Sequence, residues 1–104
     1  MPYLHKYVYN EIVHFTWDER KRKTNLRKHG IDFADAESVF AGLVLTFEDD
    51  RFDYGEHRFI TVGMLNDIVV VIAHTERNEG IRVISMRKAT KNEQKIYAQE
   101  IANR

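Results

Sequence analysis

Apolar and polar residues alternate through Val13–Trp17, the pattern of a short half-buried strand. The next eight positions, Asp18–Asn25, hold no apolar side chain at all. Asp18 is placed to cap a helix running to about His29, with its carboxylate at the positive end of the helix dipole. A helix with so little to bury is expected to lie shallowly on the domain, leaving most of its basic surface free. Gly30 stops it, because glycine takes the left-handed conformation after a helix cheaply, and Ile31 can then fold back onto Leu26. Asp32 caps a second helix, with Phe33, Ala36, Val39 and Phe40 on its apolar side and Gly42 at its end.

From Leu43 the period changes to two. Leu43, Leu45 and Phe47 alternate with Val44 and Thr46 in one strand, and Arg58–Leu65 forms the next. Asn66-Asp67 is a turn signal leading to Ile68–Ala73, and Asn78-Glu79-Gly80 is another leading to Ile81–Met86. Connections this short make neighbours antiparallel, since parallel strands need long crossovers. IVVVIA is apolar on both parities, which predicts a central strand covered on both faces. Thr90 can cap a last helix to about Ala102, with Ile96, Tyr97 and Ile101 as its buried stripe. The predicted fold class is α+β: an N-terminal strand and helical hairpin, a four-stranded antiparallel sheet and a C-terminal helix. For the opening residues, with Tyr3, Tyr7, Val8 and Tyr9, an added strand and a separate appendage both stay open.

Length and composition narrow the class. With 104 residues the chain is expected to be one domain with a single modest core. No apolar run approaches the roughly 18–20 residues that span a bilayer. The start MPYLHKYVYNEIVHF lacks a signal-peptide pattern, so a cytoplasmic protein without a membrane partner is expected. There is no cysteine, hence no disulfide and no Cys-based zinc site. Sixteen basic and sixteen acidic residues cancel, but they are segregated. Trp17–Gly30 has six Lys or Arg against two acids, whereas Glu48–Glu56 has five acids and only Arg51. Such blocks predict a surface bearing both signs.

The candidate chemistry is restricted. His5, His14, His29, His57 and His74 show no i, i+4 metal-binding spacing, and each alone is more economically a surface or structural residue. Glu48, Asp49, Asp50 and Asp53 can offer oxygen ligands to Mg²⁺, or can simply be a solvated strand end and loop. Ser38 and Ser85 are the only serines, neither in a nucleophile elbow, and no Gly-rich phosphate loop occurs. Arginines at strand ends remain: Arg58, Arg77 and Arg87. The Asn66-Asp67 hairpin puts Arg58 and Arg77 at one end of the sheet, with Arg87 farther along. Converging guanidinium groups favour a phosphodiester ligand, while isolated ones would pair with Asp49, Glu56 or Glu76.

The string WDERKRKTNLRKHGIDFADA, then EDDRFDYGEHRFITVG, HTER and VISMRKAT, resembles in order the blocks of BrnT-type toxins. The resemblance covers about Phe15–Tyr97 as a core, with residues 1–14 outside it as an N-terminal extension without an assigned role. It implies a RelE-like ribonuclease of a type II toxin–antitoxin pair in the bacterial cytoplasm. It further implies RNA as substrate and a BrnA-like ribbon-helix-helix antitoxin, with operator DNA contacted only through the complex. RNA cleavage through the 2′-hydroxyl requires no cofactor and no protein nucleophile; it requires charge neutralisation and proton transfer. The residues assigned to that work are Arg58, Arg77 and Arg87 for the phosphate, with His29 and Glu48 for protons. Lys28, Tyr54 and Lys88 are assigned to RNA contact. The alternative is a non-catalytic nucleic-acid- or protein-binding module acting as a corepressor, motivated by the basic helix before Gly30.

Overall fold

The computed structural model describes residues 3–5, 13–51, 55–77 and 80–103. Its centre is the meander predicted from the period-two region: β3 (Val44–Asp49), β4 (Arg58–Leu65), β5 (Ile68–Arg77) and β6 (Gly80–Lys88), each antiparallel to the next. Asn66, at φ 54°, and Asp67 make the tight turn between β4 and β5, which pair up to Leu65 and Ile68. The turn predicted at Asn78-Glu79 lies outside the described residues, and β5 and β6 pair as far as Arg77 and Gly80. Val70, Val71 and Ile72 are all buried, so IVVVIA is the doubly covered strand its composition predicts.

The sheet is larger than four strands and mixed, which corrects the all-antiparallel expectation. Its order is β1-β3-β4-β5-β6-β2, where β1 is Tyr3–His5 and β2 is His14–Trp17. The strand β1 adds antiparallel to β3, whereas β2 runs parallel to β6, with Phe15 opposite Ile81 and Trp17 opposite Val83. The short-connection rule holds only for strands joined by turns; β2 and β6 are separated by the rest of the domain, and nothing local dictates their direction.

One face of the sheet carries the main core. Phe33, Ala36, Val39 and Phe40, from the segment leading into β3, pack there with Val44, Val70, Ile72, Ile81, Val83 and Met86. Phe33–Asp35 is a 3-10 turn capped by Asp32, and only Ala36–Phe40 is α-helix (α2), so the second helix is shorter than expected. Gly63 lets α2 approach: a Cβ there would stand 2.8 Å from Val39 Cγ1 and 2.9 Å from Val44 Cγ1. A register shift at Ala73/His74 leaves Ile84 as an extra residue in β6. Because alternate strand residues face opposite ways, this bulge keeps Ile81, Val83 and Met86 on the core face and turns Ser85 and Arg87 to the other.

The opposite face is half covered. The C-terminal helix α3 (Lys91–Ala102) lays Tyr97 and Ile101 over Leu45, Val62 and Val71. Tyr97 also donates from its hydroxyl to the Leu43 carbonyl at 2.9 Å. Ile96, assigned to the buried stripe, is instead exposed, as is Leu43. Thr90 caps α3 through a full capping box with Glu93.

A polar chain crosses the main core. Thr46 Oγ1 and Thr61 Oγ1 are 2.8 Å apart, and Thr61 Oγ1 lies 2.7 Å from His74 Nε2. His74 is fully buried, with its ring stacked on Phe59 and edge-on to Phe40. Burial pulls its pKa from 6.5 down to about 4, and the Thr75 backbone counteracts this only in part. The unfolded chain therefore takes up the proton first. Stability from the neutral histidine is complete above pH 6.5 and falls as the pH drops toward 4, by about 3 kcal/mol in total. His74→Gln should flatten that slope in urea titrations, and an unchanged slope would assign it elsewhere.

Candidate nucleic-acid interface

The first helix, α1 (Glu19–His29), is built as predicted at both ends. Asp18 accepts from the Arg20 and Lys21 amides at 2.9 and 3.2 Å, and Gly30 at φ 71° donates to the Leu26 carbonyl at 2.8 Å. Its anchorage differs from expectation. Ile31 is buried in the main core while Leu26 is 40% exposed, so Leu26 is not the residue that ties the helix down. Asn25 takes that part. Its amide donates to Met86 O at 2.8 Å and Ile31 O at 3.1 Å, and its oxygen accepts from Met86 N at 3.2 Å. Pairing of β2 with β6 stops at Val83, so one side chain substitutes for the missing strand at the buried edge beyond it. Arg22 adds bonds to Glu19 and to Asp32.

This anchorage fixes the basic helix beside β6. Arg20, Lys21, Thr24, Lys28 and His29 line a groove against Ile84 and Ser85. Lys28 and His29 also line a second groove with Arg87, Lys88 and Thr90. Arg87 and Ser85 in turn belong to a cleft of about 220 Å³ on the half-covered face. Its floor is Ile60, Val71, Ala73 and Ile84, and its polar rim includes Asp49, Arg51, Arg58 and Arg87. The three depressions share residues and form one continuous track.

Two of the three predicted arginines thus line one cleft. Arg58 sits opposite Asp49 in the β3–β4 register, and Arg87 opposite Val71, both on the half-covered face. Arg77 is 75% exposed at the sheet end, where its guanidinium and that of Arg58 both approach Glu56, at 3.3 and 3.6 Å. Lys28, His29 and Lys88 lie along the track. Glu48 does not join them: it occupies the alternate parity to Asp49, and its carboxylate is 2.7 Å from His57 Nδ1. Tyr54 lies outside the described residues.

The same parity divides the acidic run considered for Mg²⁺. Asp49 is buried and held by Arg51, with Nε to Oδ1 at 2.7 Å and Nη2 to Oδ2 at 3.0 Å, while Glu48 points the other way. Among the described residues no three His, Asp or Glu side chains gather as metal ligands, and Asp53 is not among those residues. Sequence reasoning passed over Arg51 and Glu93. Glu93 grips Arg87 bidentately, which holds the Glu93 carboxyl at about 2 and raises the arginine further. The spacing Thr90-x-x-Glu93, a capping-box pattern, was the available signal for Glu93.

An α+β domain with an arginine-rimmed cleft continued by the cationic end of a helix presents fixed positive charge of the kind that suits a polyanion. The chain belongs to the BrnT family: residues 17–93 match the model described as ribonuclease toxin, BrnT, of type II toxin–antitoxin system. No curated protein matches it. No helix among the described residues is long and apolar enough to cross a membrane.

Proposed function

We propose that this protein is a metal-independent endoribonuclease of RelE-like type that cleaves mRNA in the bacterial cytoplasm and so inhibits translation. In this reading a BrnA-like ribbon-helix-helix antitoxin neutralises it, and operator DNA is contacted only through that complex. Beside the family membership, the observation that carries the reading is the continuous track from the α1 tip to the arginine cleft.

The chemistry asks little of the protein beyond placement and charge. The RNA 2′-oxygen forms a bond to phosphorus as the bond to the 5′-oxygen breaks; a proton leaves the first oxygen and another reaches the second. Arg58 and Arg87 neutralise the non-bridging oxygens as charge builds on them. Arg51 adds a third guanidinium fixed by Asp49. His29, half-buried beside Arg87 and Lys88, is the residue for proton transfer. Lys28 and Lys88 hold flanking phosphates, and Arg77 steers RNA from the sheet end. Glu48, on the other face, is left out.

Expression without a partner should stop growth, and the purified protein should cut RNA undiminished in EDTA. Cleavage abolished by EDTA would refute the metal-independent mechanism. Binding of operator DNA by this chain alone, with RNA left whole, would establish the corepressor module instead.

A further inference from the structure

Arg87 has five N–H donors, and the structure spends three of them inside the protein. Nη1 donates to Glu93 Oε1 at 2.8 Å and to the Lys88 carbonyl at 3.2 Å, and Nη2 donates to Glu93 Oε2 at 2.9 Å. Glu93 therefore occupies the end of the guanidinium. Among the described residues, what remains is Nε–H and the second Nη2 hydrogen, the parallel pair along the side edge, whose spacing matches two oxygens of one phosphate. Glu93 is itself held: its Oε1 accepts from the Thr90 amide at 2.8 Å, as the return half of the α3 capping box. A rigid helix end thus sets the orientation of an arginine on the cleft rim.

We propose that Glu93 is a positioning residue for RNA cleavage, orienting Arg87 so that its Nε–Nη2 edge is presented to the scissile phosphate. The inference rests on the ribonuclease reading of the cleft. It makes an unusual demand on the sign of two effects. Glu93 is a negative charge beside a polyanion site, so removing it should help RNA bind while harming the reaction.

The experiment compares Glu93→Ala, Glu93→Gln, Thr90→Ala, Arg87→Ala and the Arg87/Glu93 double alanine variant on one RNA substrate. Glu93→Ala should lower kcat by about 10- to 100-fold, the effect of a misplaced catalytic group, with KM unchanged or lower. Glu93→Gln keeps the capping geometry and one oxygen acceptor, and should fall between Ala and the wild type. Thr90→Ala removes the other half of the box but keeps the amide that holds Glu93; it should lower thermal stability and cost kcat far less than Glu93→Ala. In the Arg87→Ala background, loss of Glu93 should cost nothing more, because there is nothing left to orient.

A structural role alone predicts the reverse: Thr90→Ala and Glu93→Ala equally impaired, KM raised, and losses that multiply in the double variant. Any of those results overturns the proposal. Wild-type protein that fails to cut RNA removes the reading beneath it, whereas an active wild type, an impaired Arg87→Ala and an unimpaired Glu93→Ala defeat the positioning role alone.

Discussion

Arg87→Ala should lower the rate of RNA cleavage by about 10²- to 10³-fold, the usual cost of removing one preorganised charge-stabilising donor. The size of the effect follows from the cleft. Arg87 is 40% exposed, so its head can reach a substrate phosphate, yet two bonds from Glu93 prevent it from wandering. Its charge is secure, since Glu93 raises its pKa from an already high value. Little of the fold depends on it, because Glu93 can still accept from the Thr90 amide after the arginine is gone. The comparison of interest is cleavage rate against melting temperature for the same sample. A variant that melts like the wild type but cuts within a few-fold of it would remove Arg87 from the site. Arg77→Ala, at the exposed sheet end, should have the smaller effect, and mainly on the salt dependence of binding.

The second large effect is on stability. Asn25→Ala should cost about 3 kcal/mol, because it strands the Met86 N–H and C=O at a buried strand edge in addition to losing the bond to Ile31. An ordinary surface substitution on α1 should stay within about 0.5 kcal/mol, since its other residues bury so little. Urea unfolding measures the total, and hydrogen exchange at the Met86 amide reports the local opening. A loss below about 1 kcal/mol would mean that water replaces the amide at no great expense, and that other contacts fix α1.

These two residues mark where sequence could and could not be followed. Helix ends and turns were legible because their causes are local: Asp18, Gly30, Asp32, Thr90 and the Asn66-Asp67 pair each satisfy backbone groups a few positions away. The burial of Phe33, Ala36, Val39 and Phe40 followed from spacing alone. Long-range choices were not legible. The parallel seating of β2 on β6 depends on a partner beyond any turn, and Asn25 looks in sequence like one more polar residue on a polar helix. The bulge at Ile84 was equally hidden, although it decides that Met86 enters the core and Arg87 the cleft. In the proposed site, Arg58 and Arg87 could be chosen as strand-end cations, but Asp49 and Glu48 are neighbours whose surroundings separate only by the face they occupy. Ile96 shows the same limit in a helix, where a shift of one position exchanges a buried side chain for an exposed one.

The anchoring of α1 by Asn25 also has a consequence for the order in which the molecule is made. Asn25 leaves the ribosome 61 positions ahead of Met86, the backbone it binds. Until β6 has been synthesised and paired with β5, the basic helix has no edge to grip. The meander can assemble from neighbours in the chain, whereas the helix must wait for a distant one. Lys28 and His29 therefore come to stand beside Arg87 only when nearly the whole polypeptide exists, and a chain interrupted before Met86 carries the helix but not the track.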